Sequence, residues 1–596
     1  MNFLKTFFAS CLGSLLALFL FFIIGIFLVA GIIGAAMSGG DESLTTISDN
    51  SVFRLELNVP ITELEVEDPF EGLPLPGIES GSIGLIQLKQ AIDHAASDPK
   101  IKGIYLDVSF FMGGYATARE IRQSLEEFKA TGKWVIAYSE MMSESSYYIA
   151  SAADKVFLNP EGDLEFNGLS VEIGFFKQLF DKLEIKPEVF RVGDFKSAVE
   201  PFLLDKMSDE NRLQLNALLG SMYGTLLSDI AASRQREAAD LRAIADKALV
   251  TSARQAREHG LVDSLMYYDQ VEDYLRDKLG LAEDKKITFA RYGKYRKSFA
   301  TASKSKNEIA VIVADGDILP GEAQPGVVGS ETFAEQLRKA RKNDNVKAIV
   351  LRINSPGGSS LASDVMWREI VLASEEKPVI ASMGDYAASG GYYLAMACDT
   401  IVTQPNTITG SIGVFSILYD ASDFLKNKLG ITFDEVRTGQ TADLITFTRP
   451  LNAQERNIWQ NRTNEIYEMF TTKAAQGRGM TVEDIKDIAS GRVWSGKQAL
   501  ANGLADVEGG LADALTLAAG QAGVGEDYKV RYYPKPKTLL EMWFANLEEN
   551  ASEKAMREKL GSAYPLYREW QQLDKLKGNQ ARLPFTLKIL SENGKK

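Results

Sequence analysis

The chain contains itself twice. Ile101-Lys102-Gly103-Ile104-Tyr105-Leu106 returns as Val346-Lys347-Ala348-Ile349-Val350-Leu351, 245 residues further on. The same offset carries Ser145-Ser146-Tyr147-Tyr148 onto Gly390-Gly391-Tyr392-Tyr393. It drifts to 246 between Lys182-Leu183 and Lys428-Leu429, and to 243 where Gly260-Leu261-Val262-Asp263 meets Gly503-Leu504-Ala505-Asp506. A register held over such a distance leaves one solution, two copies of one folding unit. At roughly 150 residues per domain a chain of this length is expected to hold two to four folded units. The copies are expected over residues 50–300 and 307–535, between an amino-terminal segment, 1–42, and a tail, 536–596.

Both copies read alike. A β-rich opening (Phe53 to Ile61; Ile309 to Val313) precedes an amphipathic helix (Ile86 to Ala96; Thr332 to Arg341), then a short apolar strand and a helix. Another strand (Trp134 to Tyr138; Val379 to Ser382) and helix follow. Strands alternating with helices predict an α/β fold with mainly parallel sheets covered by helices. The Pro/Gly-rich stretch Glu67 to Gly84 reads as a loop, and Ala300 to Asn307 as a polar linker between the copies. The tail reads as helical runs with no counterpart in the first copy.

The copies part company where chemistry would sit. The second has Asn354-Ser355-Pro356-Gly357-Gly358-Ser359 after a strand, a turn whose backbone N–H groups can converge without Cβ obstruction. It also has Gly384-Asp385-Tyr386-Ala387-Ala388-Ser389-Gly390-Gly391, a serine among small residues just before a helix. Either motif alone reads as a turn or a helix cap. Together, at the ends of successive strands, they favour a nucleophile. The first copy has Glu144 where Ser389 falls and Phe111-Met112 where Pro356-Gly357 falls. It has instead Arg191-Val192-Gly193-Asp194-Phe195-Lys196, and its Lys196 falls opposite Ala442. One copy holds the serine without the lysine and the other the lysine without the serine, a pattern that predicts a dyad split between them.

Composition narrows the rest. A net charge of −14 argues against a nucleic-acid partner. Cys11 and Cys398 cannot make a disulfide framework or a thiolate zinc site, and His94 and His259 exclude a His-rich metal site. Neither histidine adjoins a serine motif, so the base must be another group. A lysine at its ordinary pKa is only about 0.04% neutral at pH 7, so the base role requires burial. After Lys5 there is no charge until Asp41, and Phe7 to Met37 is almost wholly apolar. That length predicts one uncleaved transmembrane helix, and Lys5 before it with Asp41-Glu42 after it places the copies outside the cytoplasm.

The motif set Ser355-Pro356-Gly357-Gly358, Asp385-Tyr386-Ala387-Ala388-Ser389-Gly390-Gly391, Thr409-Gly410-Ser411-Ile412-Gly413 and Phe195-Lys196-Ser197 resembles the signal peptide peptidase A (protease IV) family in its long, tandem-repeat form, over roughly residues 1–535. The resemblance implies two tandem Clp/crotonase-like repeats behind one transmembrane helix. It implies Ser389 as nucleophile, Lys196 as general base, Ser411 as the lysine's hydrogen-bond partner, and Gly357, Gly358 and Gly390 as the oxyanion hole, with no metal and no cofactor. It further implies a bacterial inner-membrane endopeptidase on the periplasmic side, a homotetramer acting on signal peptides and other extended apolar peptides. Crotonase-like acyl-CoA chemistry would leave the Ser/Lys pair idle. A non-catalytic membrane-anchored assembly or binding protein of the same fold is the other alternative.

Overall fold

The apolar runs read as strands assemble into two mainly parallel sheets, one per copy. In a computed structural model, residues 7, 12–24, 45–65, 82–299, 305–324, 326–533 and 578–583 are described. In the first copy these elements run in order: β1 (Ser51–Glu56), α1 (Leu85–Ser97), β2 (Ile101–Asp107), α2 (Tyr115–Ala130), β3 (Trp134–Met142), α3 (Glu144–Ala150), β4 (Lys155–Leu164), β5 (Lys186–Val192), α4 (Asp209–Arg234), β6 (Ser264–Leu265) and β7 (Phe289–Arg291). The sheet order is β6-β4-β3-β2-β1-β7, all parallel. Helices cover both faces, so the inner strands are buried almost end to end. Helix α1 buries Leu85, Leu88, Ala91, Ile92 and Ala95 on one stripe.

The second copy repeats the plan with β8 (Glu308–Asp315), β9 (Asp317–Leu319), β10 (Val327–Gly329), β11 (Val346–Ser355), β12 (Gly357–Ser359), β13 (Val379–Ala388), α5 (Gly390–Ala395), β14 (Ile408–Gly410), β15 (Val414–Asp420), β16 (Val493–Ser495) and β17 (Lys529–Tyr533). Its main sheet runs β16-β14-β13-β11-β8-β17. Strand β13 outruns the expected end at Ser382. After a register shift it pairs a second time, Tyr386 with Ile408 and Ala388 with Gly410, which carries it directly to Ser389.

A third, mixed sheet joins the copies: β10-β9-β12-β18-β15-β5, where β18 is Gly578–Arg582. Strand β5 of the first copy lies antiparallel to β15 of the second from Val192↔Val414 to Lys186↔Asp420. Of the tail expected over 536–596, only 578–583 are described, and they are extended strand rather than helix. The expected membrane anchor, 1–42, lies largely outside the described residues. Residues 12–24 are helical with Leu12, Leu15, Phe19 and Phe22 exposed, and among the described residues no helix is long and apolar enough to cross a membrane.

The join also buries charge. Arg352 on β11, 0% exposed, pairs with Glu63 at 2.8 Å and Glu120 at 2.7 Å, both from the first copy. Burial pushes the Glu63 carboxyl up to about 7 against the pull of Arg352. At Glu120 burial also acts upward, but Arg352 and Lys89 outweigh it and the pKa falls. A raised carboxyl binds more protons folded than unfolded, so the cost of burying Glu63 is absent below about pH 4.3 and complete above pH 7. Arg352→Leu strands two carboxylates and is expected to cost about 3–5 kcal/mol at pH 8. Urea denaturation should find that cost smaller at pH 5, where Glu63 is protonated.

Candidate active site

The antiparallel pairing of β5 with β15 aims two turns at each other. Four residues after β5 ends comes Lys196, and three before β15 begins lies Ser411. Gly193 turns the first with φ 100°, where a Cβ would come 2.4 Å from the Ser490 carbonyl. Opposite, Gly491 lies against the lysine backbone, and a Cβ there would fall 2.7 Å from Lys196 N. The lysine can enter because both neighbours lack side chains.

Lys196, Ser389 and Ser411 are each 0% exposed. Lys196 Nζ lies 2.9 Å from Ser389 Oγ, 3.0 Å from Ser411 Oγ and 3.1 Å from the Ser411 carbonyl. Burial alone drives the Lys196 pKa well below that of an exposed lysine. The surroundings suit the neutral amine: two N–H bonds serve the two Ser411 oxygens, and one lone pair receives the Ser389 hydroxyl proton. Behind the lysine Gln214, on α4, donates to the Phe195 carbonyl (3.0 Å) and Ser197 Oγ (3.0 Å) and accepts from Val493 N–H (3.2 Å). Its side chain thus bonds to both copies.

Ser389 caps α5 with φ 55° and ψ −111°, a strained conformation for a residue with a Cβ, held by its N–H on the Gly410 carbonyl at 2.8 Å. Beside it the glycines leave a gap for one oxygen. At Gly357 a Cβ would stand 2.6 Å from Gly390 N and 2.1 Å from the Ala581 carbonyl oxygen. The Gly357 N–H is taken by Ser355 Oγ at 3.2 Å. The other amides beside the gap are those of Gly358 and Gly390.

The oxygen in that gap belongs to the chain's own tail. Strand β18 lies antiparallel to both β12 and β15. Leu583 N–H donates to the Pro356 carbonyl at 2.8 Å, so the next bonded pair of the ladder is Gly358 with Ala581. An extended segment with a small residue at the gap thus fits between β12 and β15. Arg582, next along, pairs with Asp317 at 3.0 Å.

Asp385, three residues before Ala388, has a part that the sequence did not signal. It accepts N–H bonds from Gly114 (3.1 Å), Ala116 (2.9 Å) and Thr117 (2.9 Å) and the Thr117 hydroxyl (2.6 Å), capping α2 of the other copy. Gly114, at the N-cap, has no side chain for the task, and a Cβ on it would fall 2.1 Å from Asp385 Cγ. Glu144, in the position equivalent to Ser389, receives N–H bonds from Asn167 and Gly168. His94 stacks on Phe299 and His259 ends a helix, both away from the lysine. Cys398 is buried and free, and Cys11 lies outside the described residues. Among the described residues no cluster could hold a metal.

A buried hydroxyl on an amine, beside two converging amides, is the equipment of a nucleophilic hydrolase. Peptidase family S49 matches the chain twice, over residues 127–282 and 372–525. Serine protease SPPA, chloroplastic, of Arabidopsis thaliana is 35% identical over 459 residues, 76% of this chain and 68% of that one. Protease 4 of Salmonella typhi is 38% identical over 467 residues, 77% of this chain and 75% of that one. A putative signal peptide peptidase SppA of Enterococcus faecium is 30% identical over 217 residues, 36% of this chain and 63% of that one. The chain belongs to peptidase family S49, in the tandem-repeat form, and is a serine protease.

Lys196→Met separates burial from solvation. A lysine pKa depressed by folding means that the unfolded chain binds more protons below about pH 10.4. Stability from this group therefore rises with pH up to that value. Thermal unfolding from pH 6 to 10 should find the wild-type chain gaining on Lys196→Met, and parallel curves would mean a solvated lysine.

Proposed function

We propose that the protein is a membrane-anchored endopeptidase that degrades cleaved signal peptides outside the cytoplasm, with Ser389 as nucleophile and Lys196 as general base. The observation that carries this reading is the Lys196–Ser389 contact of 2.9 Å inside a fully buried site. Neutral Lys196 takes the hydroxyl proton as Ser389 Oγ attacks the scissile carbonyl carbon. The oxyanion is received by the Gly358 and Gly390 amides, and Lys196 returns the proton to the leaving amine. Water, deprotonated by the same lysine, then releases the acid and restores Ser389.

Several features support this substrate and place. The groove between β12 and β15 accepts an extended strand, and a small residue such as Ala581 suits its reactive position. The apolar run Phe7 to Met37 and the exposed Leu and Phe side chains of residues 12–24 fit an anchor in the bacterial inner membrane. Such an anchor would hold the protease where released apolar signal peptides lie. A homotetramer with its sites facing an inner chamber would keep folded proteins out.

Ser389→Ala and Lys196→Ala should each lower kcat/KM on an unfolded apolar peptide by several orders of magnitude, and the double variant by little more. The pH profile of kcat/KM should reach its plateau well below pH 10. Since Lys196 and Ser389 meet within one chain, mixing the two inactive variants should restore nothing, whatever the oligomer. Restored activity would place the base on a neighbouring chain. Sedimentation of the detergent-solubilised protein as an active monomer would rule out the chamber.

A further inference from the structure

A cavity lies one step up the nucleophile strand and contains neither Ser389 nor Lys196. It has a volume of about 640 Å³, a size suited to a ligand side chain with its flanking backbone. Met112, Leu169 and Met222 of the first copy and Tyr386, Asn406 and Ile408 of the second line it. Glu144 and Met112 also mark it as the first copy's counterpart of the reactive site, since they stand where Ser389 and Gly357 stand in the second. The duplicated site has lost its nucleophile and kept a hollow.

Two observations say what the hollow receives. Asn406 is 1% exposed, yet neither its Oδ1 nor its Nδ2 has a partner among the described residues. A buried carboxamide in that state calls for a peptide-like group, one donor and one acceptor. The second observation is the path of the strand in the groove. Leu583, two residues past the carbonyl at the glycine amides, shares a buried cluster with Met222, Ile408 and Ala388, against which Leu169, Tyr115 and Tyr386 pack. A chain lying in the groove is therefore brought to the cavity wall just beyond the bond to be cut.

We propose that this cavity binds the segment of an extended substrate that follows the scissile bond, taking one large uncharged side chain against Leu169, Met222 and Ile408 and a backbone amide on Asn406. The assignment rests on the reading of Ser389 as nucleophile. Glu144, Glu165 and Asp385 also line the cavity, so a carboxylate side chain at that position is disfavoured by charge. The degenerate copy thus selects what the active copy cuts.

The test uses the full chain and two quenched fluorescent peptides. Both carry the sequence of residues 578–583 followed by Ala and then either Phe or Asp. Burial of one large apolar side chain predicts a kcat/KM about tenfold or more higher for the Phe peptide. Met222→Trp, which fills the hollow, should bring the ratio to within about threefold. Asn406→Asp, nearly isosteric, should leave room but add negative charge, and should raise the preference for Phe over Asp at that position by a similar factor. The chain's own tail competes equally with each peptide and cancels in the ratio. Equal cleavage of the Phe and Asp peptides by the wild-type chain would overturn the proposal, as would a ratio unchanged in both variants. If the wild-type chain cut neither peptide nor unfolded casein, the nucleophile assignment itself would fall.

Discussion

The pairing of Lys186–Val192 with Val414–Asp420 is the contact on which the site depends. An antiparallel ladder leaves no freedom of register, because a slip by one residue turns every side chain to the opposite face. Fixing Val192 against Val414 fixes the start of both turns, and so the distance from Lys196 to Ser411. Neither copy could desolvate that lysine alone. Its backbone rests on Gly491, its stem lies near Gly413, and its amine ends between Ser389 and Ser411, all of the second copy. The depressed pKa is thus a product of the join: separate the copies and the amine is hydrated and protonated.

Charge holds the nucleophile strand to the same join. Asp385 caps a helix of the other copy, a contact of a kind worth about 1 kcal/mol. Arg352, on the adjacent strand, is gripped by Glu63 and Glu120. Such a triad adds little net stability over an apolar replacement, yet breaking it by halves is costly. Its effect here is selective: any docking of the copies that misplaces β11 leaves an unpaired guanidinium or carboxylates, so one arrangement stands apart from its rivals.

Much of this was legible in the residues. The constant offset exposed the duplication, and the complementary loss of serine and lysine pointed to their meeting, which the 2.9 Å contact bears on directly. What stayed hidden depended on distance. Gly578-Asn579-Gln580-Ala581-Arg582 has weak strand propensity, and only the waiting edges of β12 and β15 make it extended. Asp385 gave no signal of its own because its cap partner lies some 270 residues earlier in the chain. Arg352 is one polar residue in an apolar strand, and its partners lie on another copy. Gly357 read as an amide donor, but its N–H is spent on Ser355 and its bare Cα is what the site uses.

The two copies also differ in backbone strain, and the difference follows function. In the second copy the residue before the helix is Ser389, at φ 55° and ψ −111°. In the first, the helix starts one residue earlier, and its cap is Ser143 at φ −68° and ψ 161°, with its side chain accepting the Ser146 N–H. One copy thus relaxed into an ordinary cap whose hydroxyl is consumed by the backbone. The other keeps a conformation costing on the order of 1–3 kcal/mol, and its hydroxyl stays free for Lys196. An ordinary cap would satisfy the helix but turn the oxygen inward, away from the amine. The strain at Ser389 is therefore what separates a capping serine from a reactive one in two copies of the same fold.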